Sequence, residues 1–562
     1  MIGVLSKNSE TRAVQEFFQL FKTPWEFYVP GRSYDLVIAT RDEIPEIVNT
    51  SALVIYHSQP IRFDDQIGVL AESQRRGDWV EWNGVEFPIY GDLATLQSVG
   101  RPLVKRKTFD VVGSIDVASE RSTVRFGFDL FYEVAYLLSQ GQPAENAGFL
   151  TLDTHISLLR AMMVSLAVPF VEVPPVPAGY DFMACLTHDV DFVGIRDHRF
   201  DRTMWGFLYR STLGSLLKAL AGKLSWSKCM RNWAAALSLP LVHLGLRDDF
   251  WLEFDRYMEI ERQLGSTFFF LPSKNVPGTL EIGSAPKSRA AKYDVAGITE
   301  QVAKLVQKGC EVGLHGIDAW QNLECAQSER SRIGEITGKS EFGTRMHWLY
   351  WKESSPEILE EAGFTYDSTF GYNQAIGFRA GTTQPFCPLG AESLLELPLN
   401  IQDSAMFYSD RMALSEKEAL NACRELLQSM SSSGGALTVN WHTRSLSPER
   451  LWGDFYVKLL EEIRTCRVRF GTAREIVGWF RERRALRFDS VRFEENGVCV
   501  ALRGPAGRLE TPFTVRVHHP KFVSDGSALG SHMPAHKDIQ WSGEGVLAIP
   551  YENVADICEP RA

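Results

Sequence analysis

The chain has 562 residues, of which 44% are hydrophobic and 23% are charged, and its formal net charge at pH 7 is −11. Because a single hydrophobic core stops growing at roughly 250–300 residues, this length predicts two or three globular domains. The acidic balance argues against nucleic acid or an anionic membrane surface as the main partner, since both require a basic patch on the protein.

Three features predict a cytoplasmic protein without a transmembrane segment. The nine cysteines are scattered and include no C-x-x-C pair, which is typical of reduced thiols. The N-terminal stretch MIGVLSKNSETRAVQEFF lacks the basic and apolar regions of a secretory signal. The longest apolar tract, 234–246, is interrupted by Ser238, Pro240 and His243 and is shorter than the ~20 residues of a membrane helix.

Residues 1–175 are expected to form an α/β domain. The β-branched runs YDLVIAT (34–40) and SALVIYH (51–57) alternate with the helix-like stretches TRAVQEFFQLF (11–21) and FDLFYEVAYLLS (128–139). Four prolines then follow within 168–181, and proline-rich segments of this kind are semi-rigid spacers between folded units. The first domain boundary is therefore expected near 174–179.

Residues 180–484 are expected to form a distorted (β/α) barrel of seven or eight units. A helix-rich insertion, 199–246, interrupts the first unit. Strand-like runs recur along this region, and most are followed by a helix-period stretch. These runs are FMACLTHD (182–189), STFFFL (266–271), CEVGLHG (310–316), FGTRMHW (342–348), FTYDST (364–369), LLELPL (394–399), ALTVNWHT (436–443) and VRFGTA (468–473).

The sequence pattern changes at residue 486, and residues 486–562 are expected to form a small C-terminal antiparallel β domain. Short alternating runs appear here, including SVRFEENGVCVAL (490–502), in which Asn496-Gly497 reads as a hairpin turn.

Ionisable side chains stand at the ends of the predicted barrel strands. Because such ends converge on one face of a barrel, carboxylates, imidazoles and a guanidinium are expected to meet there. That combination suits a divalent metal ion flanked by a general acid and a general base. The side chains are Asp189, Asp191, His315, Arg345, His347, Asp367 and His442.

The order of these motifs resembles the five ordered motifs of the polysaccharide deacetylases of carbohydrate esterase family 4, the NodB-like enzymes. The motifs are THDVD (187–191), EVGLHG (311–316), RMHWLYW (345–351), YDSTFGY (366–372) and NWHTRSL (440–446). The chain is most similar to an HDVD-type subgroup, in which GFRAGT (377–382) and ELPLNIQDSAMF (396–407) recur and an α/β domain precedes the barrel. The resemblance covers about 182–484 and implies a distorted (β/α) barrel.

The resemblance implies a role for each matching residue. Asp189 would be the catalytic base, Asp191 a metal ligand and Arg345 the partner that keeps Asp189 ionised. His442 would be the general acid, and Asp367 would raise its basicity from behind.

The implied metal is a divalent ion, and Zn²⁺ is expected. His315 resembles the first histidine of the family's H-x-x-x-H ligand pair, but Ala319 occupies the second position. The candidates for the third ligand are Asp318, His188 and His347; alternatively, two protein ligands and additional water hold the metal.

The same motifs suggest the substrate. Trp348, Trp351 and Trp441 could stack on sugar rings, and Arg379 of GFRAGT is a further candidate for substrate binding. The leading hypothesis is a metal-dependent deacetylase acting on an N-acetylated sugar in a polysaccharide or glycan precursor. The alternatives are a non-catalytic glycan-binding relative in polysaccharide assembly and a cyclic-amide hydrolase.

Overall fold

The computed structural model describes residues 1–45, 48–74, 77–97, 100–107, 110–117, 121–222, 224–504, 511–520, 535–543, 545–551 and 557–558. Across these ranges the chain is an α/β protein built on three main groups of strands. None of the helices in these ranges combines the length and apolarity that a membrane crossing requires.

The first group is a mixed sheet at the N-terminal end, flanked by helices. Its strands are β1 (Ile2–Leu5), β2 (Trp25–Phe27), β3 (Leu36–Ala39), β4 (Ala52–Tyr56), β6 (Asp78–Trp82), β7 (Val85–Ile89), β9 (Arg101–Arg106), β10 (Val111–Asp116) and β11 (Ser122–Phe126), while β5 (Leu70–Gln74) and β8 (Leu93–Gln97) form a separate antiparallel pair. The order is β2-β1-β3-β4-β11-β10-β9-β6-β7. The helices are α1 (Thr11–Phe21), α2 (Arg62–Gln66), α3 (Leu130–Ser139) and α4 (Thr151–Ser165), and the short strand β12 (Phe170–Glu172) follows them.

The second group is a curled parallel sheet that forms a half-barrel. Its strands are β13 (Phe182–Val190), β14 (Ser266–Phe270), β15 (Glu311–Gly316), β16 (Thr344–Met346), β17 (Tyr366–Asp367), β18 (Leu395–Glu396), β19 (Ile401–Gln402), β20 (Ala436–Asn440) and β21 (Val468–Phe470). The order is β18-β17-β16-β15-β14-β13-β20-β19, with β21 beside the start of β13. Each of the eight predicted runs contains one of these strands.

Helices connect the strands of the half-barrel. They are α5 (Arg202–Tyr209), α6 (Ser215–Leu220), α7 (Trp226–His243), α8 (Phe254–Ile260), α9 (Thr299–Gln307), α10 (Leu323–Thr337), α11 (Ser355–Glu361), α12 (Asp403–Phe407), α13 (Glu416–Ser433), α14 (Gly453–Arg464) and α15 (Ala473–Ala485). The central strand β13 is buried at all its residues, as expected of a parallel strand covered on both faces. Residues 397–400 run from one edge strand, β18, to the other, β19.

The third group is antiparallel and lies at the C-terminal end. Its strands are β22 (Arg487–Phe493), β23 (Gly497–Arg503), β24 (Phe513–His518), β25 (His536–Trp541), β26 (Val546–Pro550) and β27 (Ile557–Cys558). The first two strands pair as a hairpin at the predicted Asn496-Gly497 turn. The strand β12 pairs with β24, so the segment before the barrel shares a sheet with the C-terminal strands. The domain boundaries given above stay predictions.

Candidate active site

The alternation of side chains along β13 separates Asp189 and Asp191 from His188. Asp189 and Asp191 are two residues apart and lie on one face of the strand, toward the strand ends of the half-barrel. His188 lies on the other face, where its Nδ1 contacts the Trp441 carbonyl oxygen at 2.8 Å and its Nε2 contacts Glu261 at 3.0 Å. His188 is therefore not near Asp191, and the period-2 pattern of the strand could have excluded it as a ligand.

Three side-chain atoms converge at the end of β13. Asp191 Oδ1 lies 3.4 Å from His315 Nε2 and 3.3 Å from His347 Nδ1, and the two nitrogens are 2.9 Å apart. A tetrahedral Zn²⁺ with ligand bonds of about 2.0–2.1 Å separates its ligand atoms by roughly 3.3 Å. The three atoms thus have a spacing that suits one metal ion.

The hydrogen bonds of the two histidines indicate which ring nitrogens carry hydrogen and which carry a lone pair. His315 Nδ1 contacts the Arg345 carbonyl oxygen at 2.9 Å, and His347 Nε2 contacts the Arg289 carbonyl oxygen at 3.1 Å. Carbonyl oxygens only accept, so both of these ring nitrogens carry hydrogen. When both rings are neutral, which is the form that binds metals, His315 Nε2 and His347 Nδ1 are two acceptors that face each other.

The third atom of the cluster is also an acceptor without a donor. Asp191 Oδ1 is buried and has no hydrogen-bond partner in the described part of the chain. Burial lowers the pKa of His347 to about 3, so this ring is neutral near pH 7, which is the form that binds metals. Because three buried acceptors without a shared donor are stabilised by a cation, the residues present fit a divalent metal.

His347 takes its position from the neighbouring strand and from Arg289. It follows β16, in which Arg345 pairs with His315 of β15. The buried Arg289 donates from Nη2 to the His347 carbonyl oxygen at 2.9 Å, while its own carbonyl accepts from the His347 ring. This two-way contact orients His347, and no motif of the sequence pointed to Arg289.

The other candidate for the third ligand points elsewhere. Asp318 Oδ1 accepts from the backbone nitrogen of Thr279 at 2.8 Å and from its hydroxyl at 3.2 Å. Of the three candidates, His347 is the one whose ring reaches Asp191 and His315.

Asp189 lies beside Asp191, His315 and His347, the candidate metal-ligand cluster, and accepts a hydrogen bond at each of its two oxygens. Arg345 Nη1 donates to Oδ1 at 3.0 Å, and Asn440 Nδ2 donates to Oδ2 at 2.7 Å. Burial by itself would raise the pKa of Asp189, but His315, Arg345 and His442 outweigh it and lower the pKa below its usual value. Asp189 is therefore an ionised carboxylate with a fixed orientation. Asn440, which begins the motif NWHTRSL, is an additional contact of the site.

His442 is backed by Asp403, which corrects the expectation for Asp367. Its Nδ1 lies 2.6 Å from Asp403 Oδ1, and its backbone nitrogen donates to Oδ2 at 2.8 Å. Burial by itself would lower the pKa of His442, but Asp403, Asp191 and Asp189 outweigh it and raise the pKa to about 10. His442 Nε2 remains directed toward the cluster, 3.9 Å from Asp191 Oδ2.

Asp367 is bonded to residues that follow its own strand and not to His442. It ends β17, which lies on the far side of β13 from β20, the strand that precedes His442. Its Oδ1 accepts instead from the backbone of Ser368 at 2.8 Å and the hydroxyl of Thr369 at 2.5 Å. Asp403 follows β19, the neighbour of β20, and lies within the ELPLNIQDSAMF segment.

The predicted aromatic residues differ in exposure. Trp348 is 39% exposed and its ring centroid is 5.8 Å from that of His347. Trp351 is half-buried, packs edge-on against Phe370 and lines a cleft of about 370 Å³ together with Leu280, Glu281, Ile282, Trp320 and Tyr350. Trp348 therefore lies beside His347, and the cleft that Trp351 lines adjoins it through Tyr350, whose ring centroid is 6.2 Å from that of Trp348.

Trp441 and Arg379 are otherwise engaged. Trp441 is fully buried and stacks on Phe455 and Tyr456, so the expectation that it stacks on a sugar is wrong. Strand alternation explains this, because Trp441 lies between Asn440 and His442, which face the site. Arg379 donates from Nη1 to the Gly371 carbonyl at 3.0 Å and lies over the Phe370 ring, while its backbone carbonyl accepts from Gln142 of the N-terminal region.

No family model and no curated protein matches the chain. Solved structures do match part of it. A protein named as a polysaccharide deacetylase from Mycobacterium smegmatis is 19% identical with a TM-score of 0.34, and the match covers 55% of this chain and 95% of that one. A second, from Pseudomonas aeruginosa PAO1, is 12% identical with a TM-score of 0.34 and coverage of 55% and 94%.

A third match is the Puue allantoinase, at 12% identity and a TM-score of 0.32, with coverage of 54% of this chain and 92% of that one. At TM-scores this low, the likeness to these proteins does not assign a function to the chain.

Proposed function

We propose that the chain is a metal-dependent hydrolase that removes the N-acetyl group from a sugar of a polysaccharide or glycan precursor. The observation that carries the proposal is the convergence of Asp191 Oδ1, His315 Nε2 and His347 Nδ1, three acceptor atoms 2.9–3.4 Å apart, beside an ionised Asp189. A general acid candidate, His442, completes the group on the opposite side of Asp191.

The metal would be held by Asp191, His315 and His347. One carboxylate and two imidazoles suit Zn²⁺, and three protein ligands leave a position open for water or substrate. When bound, the ion would polarise the amide carbonyl and stabilise the negative charge that develops on its oxygen.

Asp189 is suited to accept a proton from the attacking water. Its contacts with Arg345 and Asn440 keep it ionised and hold its carboxylate in one orientation. As the water oxygen bonds to the acetyl carbon, the water proton passes to Asp189.

His442 is suited to donate a proton to the leaving group. Its Nδ1 is bound to Asp403, so the exchangeable proton stands on Nε2, the atom that faces the site. The carbon–nitrogen bond breaks, the sugar nitrogen takes this proton and leaves as an amine, and acetate is the second product.

An aromatic surface beside the site favours a sugar substrate. The exposed Trp348 and the cleft at Trp351 and Tyr350 offer ring faces of the kind on which pyranose rings stack. Asp191 and His442 keep about a fifth of their side-chain surface exposed, so the site opens to solvent.

The first experiment is elemental analysis of the purified protein after incubation with Zn²⁺ and removal of the excess. We expect about one ion per wild-type chain and its loss in Asp191→Asn and His315→Ala. Asp189→Asn is the matched control, because it should keep the metal. A wild type that takes up no metal would overturn the proposal and leave the glycan-binding alternative.

The second experiment measures acetate released from N-acetylglucosamine oligomers. Wild type should release acetate, whereas Asp189→Asn should not, although it binds metal. If the metal-loaded protein releases no acetate but opens a cyclic amide such as allantoin, the cyclic-amide hydrolase replaces the deacetylase.

A further inference from the structure

The insertion after β13 exposes its large apolar side chains. Of 28 exposed large hydrophobic residues in the described part of the chain, 13 lie within 199–247, a segment of less than a tenth of the protein. They include Leu237 at 81% and Leu220 at 67% exposure. Soluble monomers rarely expose a contiguous apolar surface of this kind, and such surfaces mark interaction sites.

These side chains follow the period of the helices. One stripe runs along α5, the π-helical turn Arg210–Gly214 and α6, at Trp205, Tyr209, Leu213, Leu217 and Leu220. A second runs along α7 and its C-cap, at Trp226, Met230, Trp233, Leu237, Leu241 and Leu244. Steps of three and four residues keep each stripe on one face of its helix.

Around the turn of the hairpin the residues directed inward are small, whereas nearer its base Met204, Phe207, Leu239 and Val242 form a core with Trp251. Ser211, Ser215 and Ala219 are buried on the first arm, and Cys229 and Ala236 are buried on the second. Ser215 Oγ lies 3.7 Å from Cys229 Sγ, so the two arms pack through these small groups. Around its turn the helical hairpin therefore directs its larger apolar side chains away from its own packing surface.

The charge of this segment is opposite to that of the whole chain. Residues 199–247 contain eight lysines and arginines but a single acidic residue, Asp201, whereas the chain as a whole has 59 basic and 70 acidic residues. Asp201 is engaged locally, since it caps α5 and contacts His198. Lys228 and Arg231 pair with Asp454 of α14. Arg202 and Lys218, by contrast, are exposed and make no ion pair with any described residue. The whole-chain charge thus conceals a basic, apolar element.

We propose that this hairpin is a peripheral docking element for an anionic lipid bilayer. Exposed tryptophan, tyrosine and leucine side chains next to lysine and arginine are the combination that inserts into the headgroup boundary while its charges meet anionic lipid. The bilayer complements both properties of the surface at once.

A second copy of the chain is the competing occupant, and the charge disfavours it. Two hairpins packed face to face would bring the unpaired Arg202 and Lys218 of both copies into one low-dielectric interface. Like charges brought together in that way are unfavourable, whereas lipid phosphate neutralises them.

The hairpin is attached next to the candidate active site. Phe192 directly follows Asp191, its ring packs against Trp251, and its carbonyl accepts from the Thr443 hydroxyl, one residue beyond His442. Resting on the proposed function, this proximity would present the site to a lipid-linked glycan at the membrane surface.

The test is flotation of the full-length protein with phosphatidylcholine vesicles that contain or lack phosphatidylglycerol. We expect flotation with the anionic vesicles and its decline as salt is raised. Leu217→Ser and Leu237→Ser should each lower the partition coefficient for the anionic vesicles roughly tenfold. Arg202→Gln and Lys218→Gln should each lower it roughly fivefold. Leu70→Ser, at an exposed leucine of the N-terminal region, is the matched control and should bind as wild type.

Light scattering after gel filtration, run on the same proteins, addresses the competing occupant. If wild type is a dimer that Leu237→Ser dissociates, and neither kind of vesicle floats the protein, the stripes serve self-association and the proposal is overturned. The proposal is also overturned if all four variants float as wild type does. Because none of these residues belongs to the metal cluster, metal content should stay at the wild-type level in every variant, and failure here is distinguishable from failure of the hydrolase proposal.

Discussion

Substitution of His347 by alanine probes the proposed metal site most directly, because the H-x-x-x-H pattern does not contain this residue. The variant removes one of three converging acceptors and leaves Asp191 and His315, 3.4 Å apart, as the remaining pair. Loss of a group that only orients a ligand costs 10–100-fold in metal affinity, so loss of the ligand itself should cost about 100-fold or more.

This change in affinity has a calculable effect on folded-state stability. With Zn²⁺ at about 100 times the wild-type Kd, binding stabilises the wild-type fold by about 2.7 kcal/mol. For a Kd raised about 100-fold, the same zinc concentration stabilises the variant by only about 0.4 kcal/mol. Addition of a chelator should therefore destabilise wild type strongly and His347→Ala very little.

The assay is competition with a chromophoric chelator, which gives the Kd for Zn²⁺ without any need for activity. Asp318→Asn is the matched control, since its carboxylate bonds to Thr279 and should not affect the Kd. The reasoning fails if His347→Ala binds zinc like wild type, and it fails most clearly if Asp318→Asn loses the metal instead.

Three further predictions concern the acid, the tryptophans and a buried histidine. Asp403→Asn removes the carboxylate behind His442 and should lower kcat by about 10²- to 10⁴-fold with metal content unchanged. Loss of the metal in this variant would contradict the assignment of Asp403 as the partner of the general acid. Trp441→Ala should destabilise the protein by about 3–5 kcal/mol because the indole is fully buried. Trp348→Ala should alter the free energy of unfolding by less than about 0.5 kcal/mol and should raise KM. Urea unfolding and substrate kinetics separate the two variants, and equal stabilities would refute the packing described for Trp441. Burial lowers the pKa of His155 to about 3, so between pH 6.5 and 3 the unfolded chain binds a proton that the folded chain does not, and the free energy of unfolding falls as pH falls. At pH 5 this loss should be about 2 kcal/mol in wild type and should be absent from His155→Phe. Equal acid sensitivity of the two proteins in urea unfolding would refute this prediction.

The sequence predicted much of the half-barrel because the information is local. A buried parallel strand appears as a continuous apolar run, and each of the eight predicted runs holds a strand. The side-chain alternation within a strand is equally local: it puts Asp189 and Asp191 on one face, and it would have excluded His188 and Trp441 had it been applied to β13 and β20.

The identity of the partners required the tertiary structure. The distance from His347 to Asp191 depends on β15 lying between β16 and β14 and on the register that pairs His315 with Arg345. The carboxylate behind His442 is Asp403 rather than Asp367 because β19, not β17, is the neighbour of β20. Motif order along the chain carries no information about which strand lies next to which.

The amino-acid sequence by itself determined eight of the nine half-barrel strands, the helical insertion and most of the ionisable residues at the strand ends, since each follows from composition and periodicity within a few residues. Only the tertiary structure decided which three atoms meet at the metal-ligand cluster and which apolar side chains of the insertion remain exposed. The physical reason is that both depend on packing between segments distant in the chain, where strand order, register and helix contacts decide which faces meet and which stay in solvent.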